Sequence, residues 1–250
     1  MILKNKVAIV TGGARDIGRA VSIKLAEEGA RVVINYYDNK EQAEDTLAQI
    51  ESFGGTAMII QGDMTKESDV NMVVAEALNA YGDDIHVLVN VAGGLVARKK
   101  IDEMDEGFFD LVMKLNMNSV FLMTKAVVPH MKSGSSIVNF ASQAGRDGGG
   151  PGATAYATSK GAVMTFTRAM AKELGPKNIR VNALCPGMIA TTFHDTFTND
   201  QVRVNVANGT PLRREGEAQE VANLVACLAS AETSFVTGTN IDINGGLAFS

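Results

Sequence analysis

Tyr156 and Lys160 stand four residues apart in AYATSKGAVMTFTRAMAKEL, a segment of helical period, so both side chains fall on one helix face. Ser142 precedes them at the end of an apolar run. A phenol, an ammonium and a hydroxyl in one cleft suit carbonyl reduction or its reverse. Hydride arrives from a nicotinamide while an acid protonates the oxygen. A phenol titrates near pH 10, and a neighbouring ammonium together with an oxidised nicotinamide favours the phenolate. Ser142 would donate a hydrogen bond to the carbonyl oxygen; its plain alternative is a strand-end serine. Spacing alone is weak, because Tyr36 and Lys40 repeat it. Only the second pair has a hydroxyl partner in a plausible cleft.

A second set of residues speaks for the nicotinamide. The run Thr11-Gly12-Gly13-Ala14-Arg15-Asp16-Ile17-Gly18 joins an apolar segment to a helical one. Small residues at such a turn let the backbone approach a pyrophosphate, which the helix N-terminus attracts. The pattern departs from G-x-G-x-x-G, and Asp16 is a carboxylate beside a proposed phosphate site. Asp16 reads as a helix N-cap whose side chain turns away from the ligand. A second strand ends about twenty residues on, where a ribose reader belongs.

Seven short apolar runs are expected as strands: 7–11, 31–36, 56–61, 86–90, 135–141, 179–184 and 239–243. Most are apolar throughout, as in strands covered on both faces. Helices are expected over 17–28, 40–53, 67–81, 103–115, 118–132, 155–174 and 217–229, with Gly29 and Gly175 as stops. The alternation predicts an α/β single-domain Rossmann fold over 1–250, a doubly wound parallel seven-stranded sheet flanked by helices. The glycine-rich 145–152 is expected as a mobile loop at a strand's carboxyl end. Residues 188–216 lack strong periodicity and read as a lid over a substrate pocket, or else as a disordered connection.

The bulk properties fit. The chain has 250 residues, 46% of them hydrophobic, and a formal charge of −5. An acidic chain offers no general attraction to nucleic acid or anionic membrane, and neither is expected as a partner. Cys185 and Cys227 form no disulfide framework or metal cluster, both are expected as reduced core residues, and no metal is expected. The N-terminus is a poor signal peptide and no apolar run is expected to span a bilayer, so the expected location is cytoplasmic.

Together these residues resemble the short-chain dehydrogenase/reductase family in its compact form of about 250 residues, near its 3-oxoacyl-carrier-protein-reductase-like branch. The likeness runs through TGGARDIG at 11–18, Asp63, NVAG at 90–93, Asn116, Ser142, YATSK at 156–160, Pro186-Gly187 with Thr191, and TGTNIDINGG at 237–246. It implies that Tyr156 is the acid and base, Lys160 its modulator and ribose clamp, and Ser142 the polariser. Asn116 would hold a water in a relay reaching Lys160. The cofactor set it implies is Gly12, Arg15, Asp16, Ile17, Gly18, Tyr36, Tyr37, Asp63, Met64, Asn90, Ala92, Gly93, Tyr156, Lys160, Pro186, Gly187, Ile189 and Thr191. Asp63 and Asn90 would take the adenosine half, and Ile189 and Thr191 the carboxamide end. The family is commonly tetrameric, which makes a homotetramer the expected assembly. The sequence departs from the family at Asp16, at Val91 in NVAG, and in a Ser142 to Tyr156 interval one residue longer than usual.

The second strand's tip, Asn35-Tyr36, carries no carboxylate, and Arg15 and Lys40 are available to a phosphate, whereas Asp38 lies close behind. NADP is favoured over NAD. Arg98, Lys99, Lys100, Arg146, Arg213 and His194 make the expected substrate mouth locally basic. Gly94, Arg146, His194 and Arg213 are the substrate candidates, and the charge points to an anionic small molecule such as a keto acid or a uronate-derived ketose. Solvated surface charge is the plain alternative for Lys99 and Lys100. A 3-oxoacyl-thioester reductase is the nearest other activity, and a dinucleotide sensor without turnover the nearest non-enzyme. A serine hydrolase lacks its G-x-S-x-G elbow.

Overall fold

The computed structural model describes residues 1–249. Its strands are β1 Val7–Thr11, β2 Arg31–Tyr36, β3 Thr56–Gln61, β4 Val87–Asn90, β5 Ser136–Phe140, β6 Arg180–Pro186 and β7 Asn240–Ile243. Every adjacent pair is parallel, in the order β3-β2-β1-β4-β5-β6-β7. The helices are α1 Asp16–Glu27, α2 Lys40–Ser52, α3 Glu67–Tyr81, α4 Glu106–Met113, α5 Ser119–Val127, α6 Ala144–Asp147, α7 Thr154–Leu174, α8 Thr192–Phe197, α9 Asp200–Gly209 and α10 Ala218–Ala229.

Side chains alternate across a strand, so continuous apolar runs supply two cores. Ala8, Val10, Val32, Ile34 and Val89 face Val21 and Leu25 of α1 and Val221 and Val225 of α10. Ile9, Val33, Leu88 and Ile137 face Val70 and Val73 of α3, Met123 of α5 and Leu174 of α7. Strand order reverses between β1 and β4, which opens a crevice at their carboxyl ends. There Thr11 Oγ1 accepts from the backbone N–H of Val91 and of Ala92, each at 3.1 Å, pinning the two strand exits together.

Five local expectations are corrected. The helices expected at 103–115 and 118–132 join through a π-helical turn, Lys114–Asn118, into one continuous stretch, Glu106–His130. That stretch has the length and mean hydropathy, 1.2, of a membrane span, where none was expected. Its Val112, Val120, Met123 and Val127 are fully or almost fully buried, Val112 against α7 and the other three beside the sheet. Residues 144–147 form the short helix α6, where a loop was expected. The stretch 188–216 carries α8 and α9, two ordered helices without a fully buried residue. Cys227 is only partly buried, while Cys185 lies in the core.

Candidate active site

One cleft of about 1220 Å³ runs along the carboxyl ends of the strands. Its walls bring together residues from the glycine-rich turn, the tip of β2, the segment after β4, the end of β5, the start of α7 and the helix α8.

Tyr156 lies in the first turn of α7 and Lys160 one turn on, with the Lys160 Nζ 5.7 Å from the phenol ring centre. Lys160 is almost wholly buried and its Nζ donates to the carbonyl of Phe140 at 2.7 Å. Burial lowers its pKa to about 8, because an ammonium is poorly solvated there. Burial also raises the Tyr156 phenol, while the Ser142 hydroxyl beside it pulls the other way. The expected lowering of the phenol by Lys160 is therefore not the dominant effect in the free protein. Ser142 Oγ accepts from the Ala144 N–H at 3.1 Å, which fixes the hydroxyl just beyond β5.

The glycine-rich turn is shaped for close approach. A side chain at Gly18 would place its Cβ 1.9 Å from the Gly12 carbonyl oxygen, so only glycine lets α1 start this near the turn. The Gly12 N–H donates to Asn35 Oδ1 at 3.2 Å, tying the turn to β2. Asp16 opens α1 with φ +50°, a left-handed conformation costing a non-glycine residue about 1–2 kcal/mol. It does not cap its own helix. Its carboxylate instead accepts from the backbone N–H and the hydroxyl of Thr192, across the cleft.

Of the expected cofactor set, Gly12, Arg15, Asp16, Ile17, Gly18, Tyr36, Tyr37, Asp63, Met64, Ala92, Gly93, Tyr156, Lys160, Pro186, Gly187, Ile189 and Thr191 line the cleft. Asn90 does not. Its amide donates to Asn139 Oδ1 at 2.9 Å between β4 and β5, a contact that braces the sheet. Asn116 is fully buried behind the wall, in the π-helical turn. Its Oδ1 accepts from the Gly94 N–H at 3.0 Å and its Nδ2 donates to the Gly94 carbonyl at 2.8 Å. A Cβ at Gly93 would sit 2.6 Å from Asn116 Oδ1 and 3.3 Å from Lys160 Nζ.

Two of the four substrate candidates are corrected. Arg146 is bound to Asp242 at 2.6 Å, with both side chains largely buried, and also to the Asn240 carbonyl. It anchors α6 to β7 and does not line the cleft. Arg213 lies outside it too, with its guanidinium on the Asn208 carbonyl. Gly94 and His194 do line the cleft. Burial, aided by the charge of Arg203, lowers the His194 pKa from its ordinary 6.5, which keeps the ring neutral at pH 7. The cations lining the cleft among the described residues are Arg15, Lys40 and Lys160. None makes a basic substrate mouth.

The sequence reading missed Phe193 and Phe197. Both line the cleft, with Phe193 6.0 Å from the Tyr156 ring centre and 5.2 Å from that of Phe197. Their i, i+4 spacing in TTFHDTF was the available sign of a helix face. Leu95, Val96, Leu111 and Leu115 add further apolar wall.

The glycine-rich turn, Ser142, Tyr156 and Lys160 line one cleft, and the chain is similar to known proteins along nearly its whole length. The family model described as Enoyl-(Acyl carrier protein) reductase matches residues 12–248. The 3-oxoacyl-(acyl-carrier-protein) reductase FabG of Staphylococcus epidermidis is 35% identical over 97% of this chain and 99% of its own. A short-chain dehydrogenase/reductase from Serratia marcescens superposes with TM-score 0.94 at 30% identity, covering 100% of both chains. A blue fluorescent protein from a metagenomic library, solved with NADPH, superposes with TM-score 0.92 at 32% identity over 100% of both chains. The chain belongs to the short-chain dehydrogenase/reductase family. It is an NAD(P)-dependent oxidoreductase acting on a small molecule.

Proposed function

We propose that this chain transfers hydride between NADP(H) and a carbonyl carbon, or the secondary alcohol derived from it, with Tyr156 as acid and base. The observation that carries this reading is the convergence of Ser142, Tyr156 and Lys160 on one wall of the cleft. The nicotinamide, when bound, supplies or accepts the hydride. In reduction, the Tyr156 hydroxyl donates to the carbonyl oxygen and releases its proton as charge grows there. Burial raises the phenol's pKa, which keeps that proton in place until it is needed. The Ser142 hydroxyl donates a second hydrogen bond to the same oxygen. The Lys160 ammonium, anchored on Phe140, stabilises the phenolate left behind and favours the base form for the reverse direction. Asn116 is a positioning residue that holds Gly94 of the cleft wall through both its backbone groups.

Two observations support NADP(H) over NAD(H). Arg15 and Lys40 line the cleft beside the tip of β2, where a 2′-phosphate would lie, and a structural neighbour was solved with NADPH. The substrate end is apolar, walled by Phe193, Phe197, Leu95 and Val96. It suits a carbonyl compound with an apolar flank better than the anionic substrate expected from charge. A 3-oxoacyl thioester is the second reading, favoured by the FabG relative that matches over 97% of the chain. Homotetramer formation is also proposed, with the exposed Phe121 of α5 at a contact, and light scattering measures it.

The test is NADPH and NADH oxidation against keto acids, uronate-derived ketoses, apolar ketones and 3-oxoacyl thioesters. Turnover with NADPH on the last two is expected, and its abolition in Tyr156→Phe with NADPH binding kept. A Tyr156→Phe variant with normal turnover overturns the mechanism, and a wild type that binds NADPH yet turns over nothing favours the sensor.

A further inference from the structure

We infer that Asp16 is a lid-positioning residue: its carboxylate clasps Thr192 at the start of α8, so that one contact ties the glycine-rich turn to the lid. The two residues are 176 positions apart in the chain. Oδ1 of Asp16 accepts from the Thr192 N–H at 3.1 Å and Oδ2 accepts from the Thr192 hydroxyl at 2.5 Å. Both oxygens are therefore committed to the same residue.

The lid helix needs this contact because it has little else at that end. Thr191, the residue before α8, makes no cap, since its hydroxyl donates to the Ile189 carbonyl at 3.1 Å. Asp16 supplies the missing acceptor from another helix, the function an N-cap side chain ordinarily serves. No residue of α8 is fully buried, so packing alone holds it weakly. At the far end the Phe197 carbonyl accepts from Arg98 Nε at 3.2 Å, and Arg98 also donates to the Pro151 carbonyl at 3.1 Å. The helix is thus fastened at both ends, by Asp16 and by Arg98. Between them Phe193, next to Thr192, rests against Tyr156.

The clasp also accounts for a carboxylate at a turn built for phosphate. Its oxygens face the lid, and the Arg15 guanidinium lies 3.9 Å away. Asp16 holds a left-handed φ that glycine would adopt freely, so Asp16→Gly removes the carboxylate without adding backbone strain. On the reading that this turn takes a dinucleotide, lid opening and nucleotide release are coupled through Asp16.

Hydrogen exchange on the protein without nucleotide tests the clasp itself. In Asp16→Gly the amides of 192–198 should exchange roughly 2- to 30-fold faster, the scale of a lost helix cap, with β1 and β4 unchanged. Thr192→Val should give a smaller rise, and the double variant no more than Asp16→Gly alone. Unchanged exchange in Asp16→Gly, or additive effects in the double variant, overturns the inference. Stopped-flow NADPH fluorescence then tests the coupling: release should be faster in Asp16→Gly and near wild type in Asp16→Asn, which can still accept from the N–H. Faster exchange with unchanged release overturns the coupling. A wild type that binds no dinucleotide overturns the functional reading, while the exchange result still decides the clasp.

Discussion

Asn116 grips the backbone of Gly94 twice, accepting from its N–H at 3.0 Å and donating to its carbonyl at 2.8 Å. A side-chain amide here does the work of a neighbouring strand. The third bond, from Nδ2 to the Val112 carbonyl at 3.0 Å, satisfies a backbone group at the π-helical turn. The local widening of the helix and the placement of the loop after β4 thus share one residue.

Asn116→Ala leaves the Gly94 pair and the Val112 carbonyl without their partner. A loss of about 1–3 kcal/mol in folding stability is expected, the cost of unsatisfied buried polar groups. Because Gly93 abuts Lys160 Nζ, kcat should fall more than KM rises. Urea denaturation and steady-state kinetics measure the two effects separately.

Arg146 illustrates the limit of charge read along a chain. Its partner, Asp242, lies 96 positions away on the edge strand, and nothing near Arg146 announces it. Arg146→Met should destabilise by about 3–5 kcal/mol by stranding a largely buried carboxylate, and Arg146→Met/Asp242→Leu should recover most of that. In neither variant should the ratio of KM values for anionic and neutral ketones change. Denaturant melts and paired kinetics check this.

Where burial dictates residue type, sequence and structure agree: all seven strands fall within a residue or two of their apolar runs, because both faces of the sheet are covered. That Ser142, Tyr156 and Lys160 share one cleft was legible as well, since one helical turn and one strand end place them. The joining of α4 to α5 was not, because a π-helical turn leaves no periodic mark. Helices α8 and α9 were not legible for a different reason. Polar contacts hold them, such as Arg203 with Asp195 and Glu215, and such contacts have no period. Asp16 looked like a local cap because its acceptor role was clear and its distant donor was not.

Phe193 stands over Tyr156 and beside Phe197 and His194. Phe193→Ala removes the aromatic face that an apolar substrate flank would meet. An aromatic contact contributes about 0.5–1.5 kcal/mol, so KM for apolar ketones should rise roughly 2- to 10-fold. KM for NADPH should stay within twofold. A rise confined to NADPH would place Phe193 at the cofactor instead.

Lys160 gives the protein a pH signature of its own. Its ammonium is destabilised by burial, so its folded-state pKa is about 8 against the ordinary 10.5. Below pH 8 both folded and unfolded chains carry the proton, and the full cost of burying the charge is present. Between about 8 and 10.5 the unfolded chain holds the proton while the folded chain has released it. The unfolded state then binds more protons, so stability rises with pH across that window. The full difference corresponds to roughly 3 kcal/mol. Lys160→Met, which keeps the length without the charge, should remove this rise. Denaturant unfolding of both proteins from pH 7 to 10 is the measurement, with the difference in slope as its readout. Parallel curves would mean that Lys160 keeps an ordinary pKa in the folded chain, and that its bond to Phe140 compensates the burial.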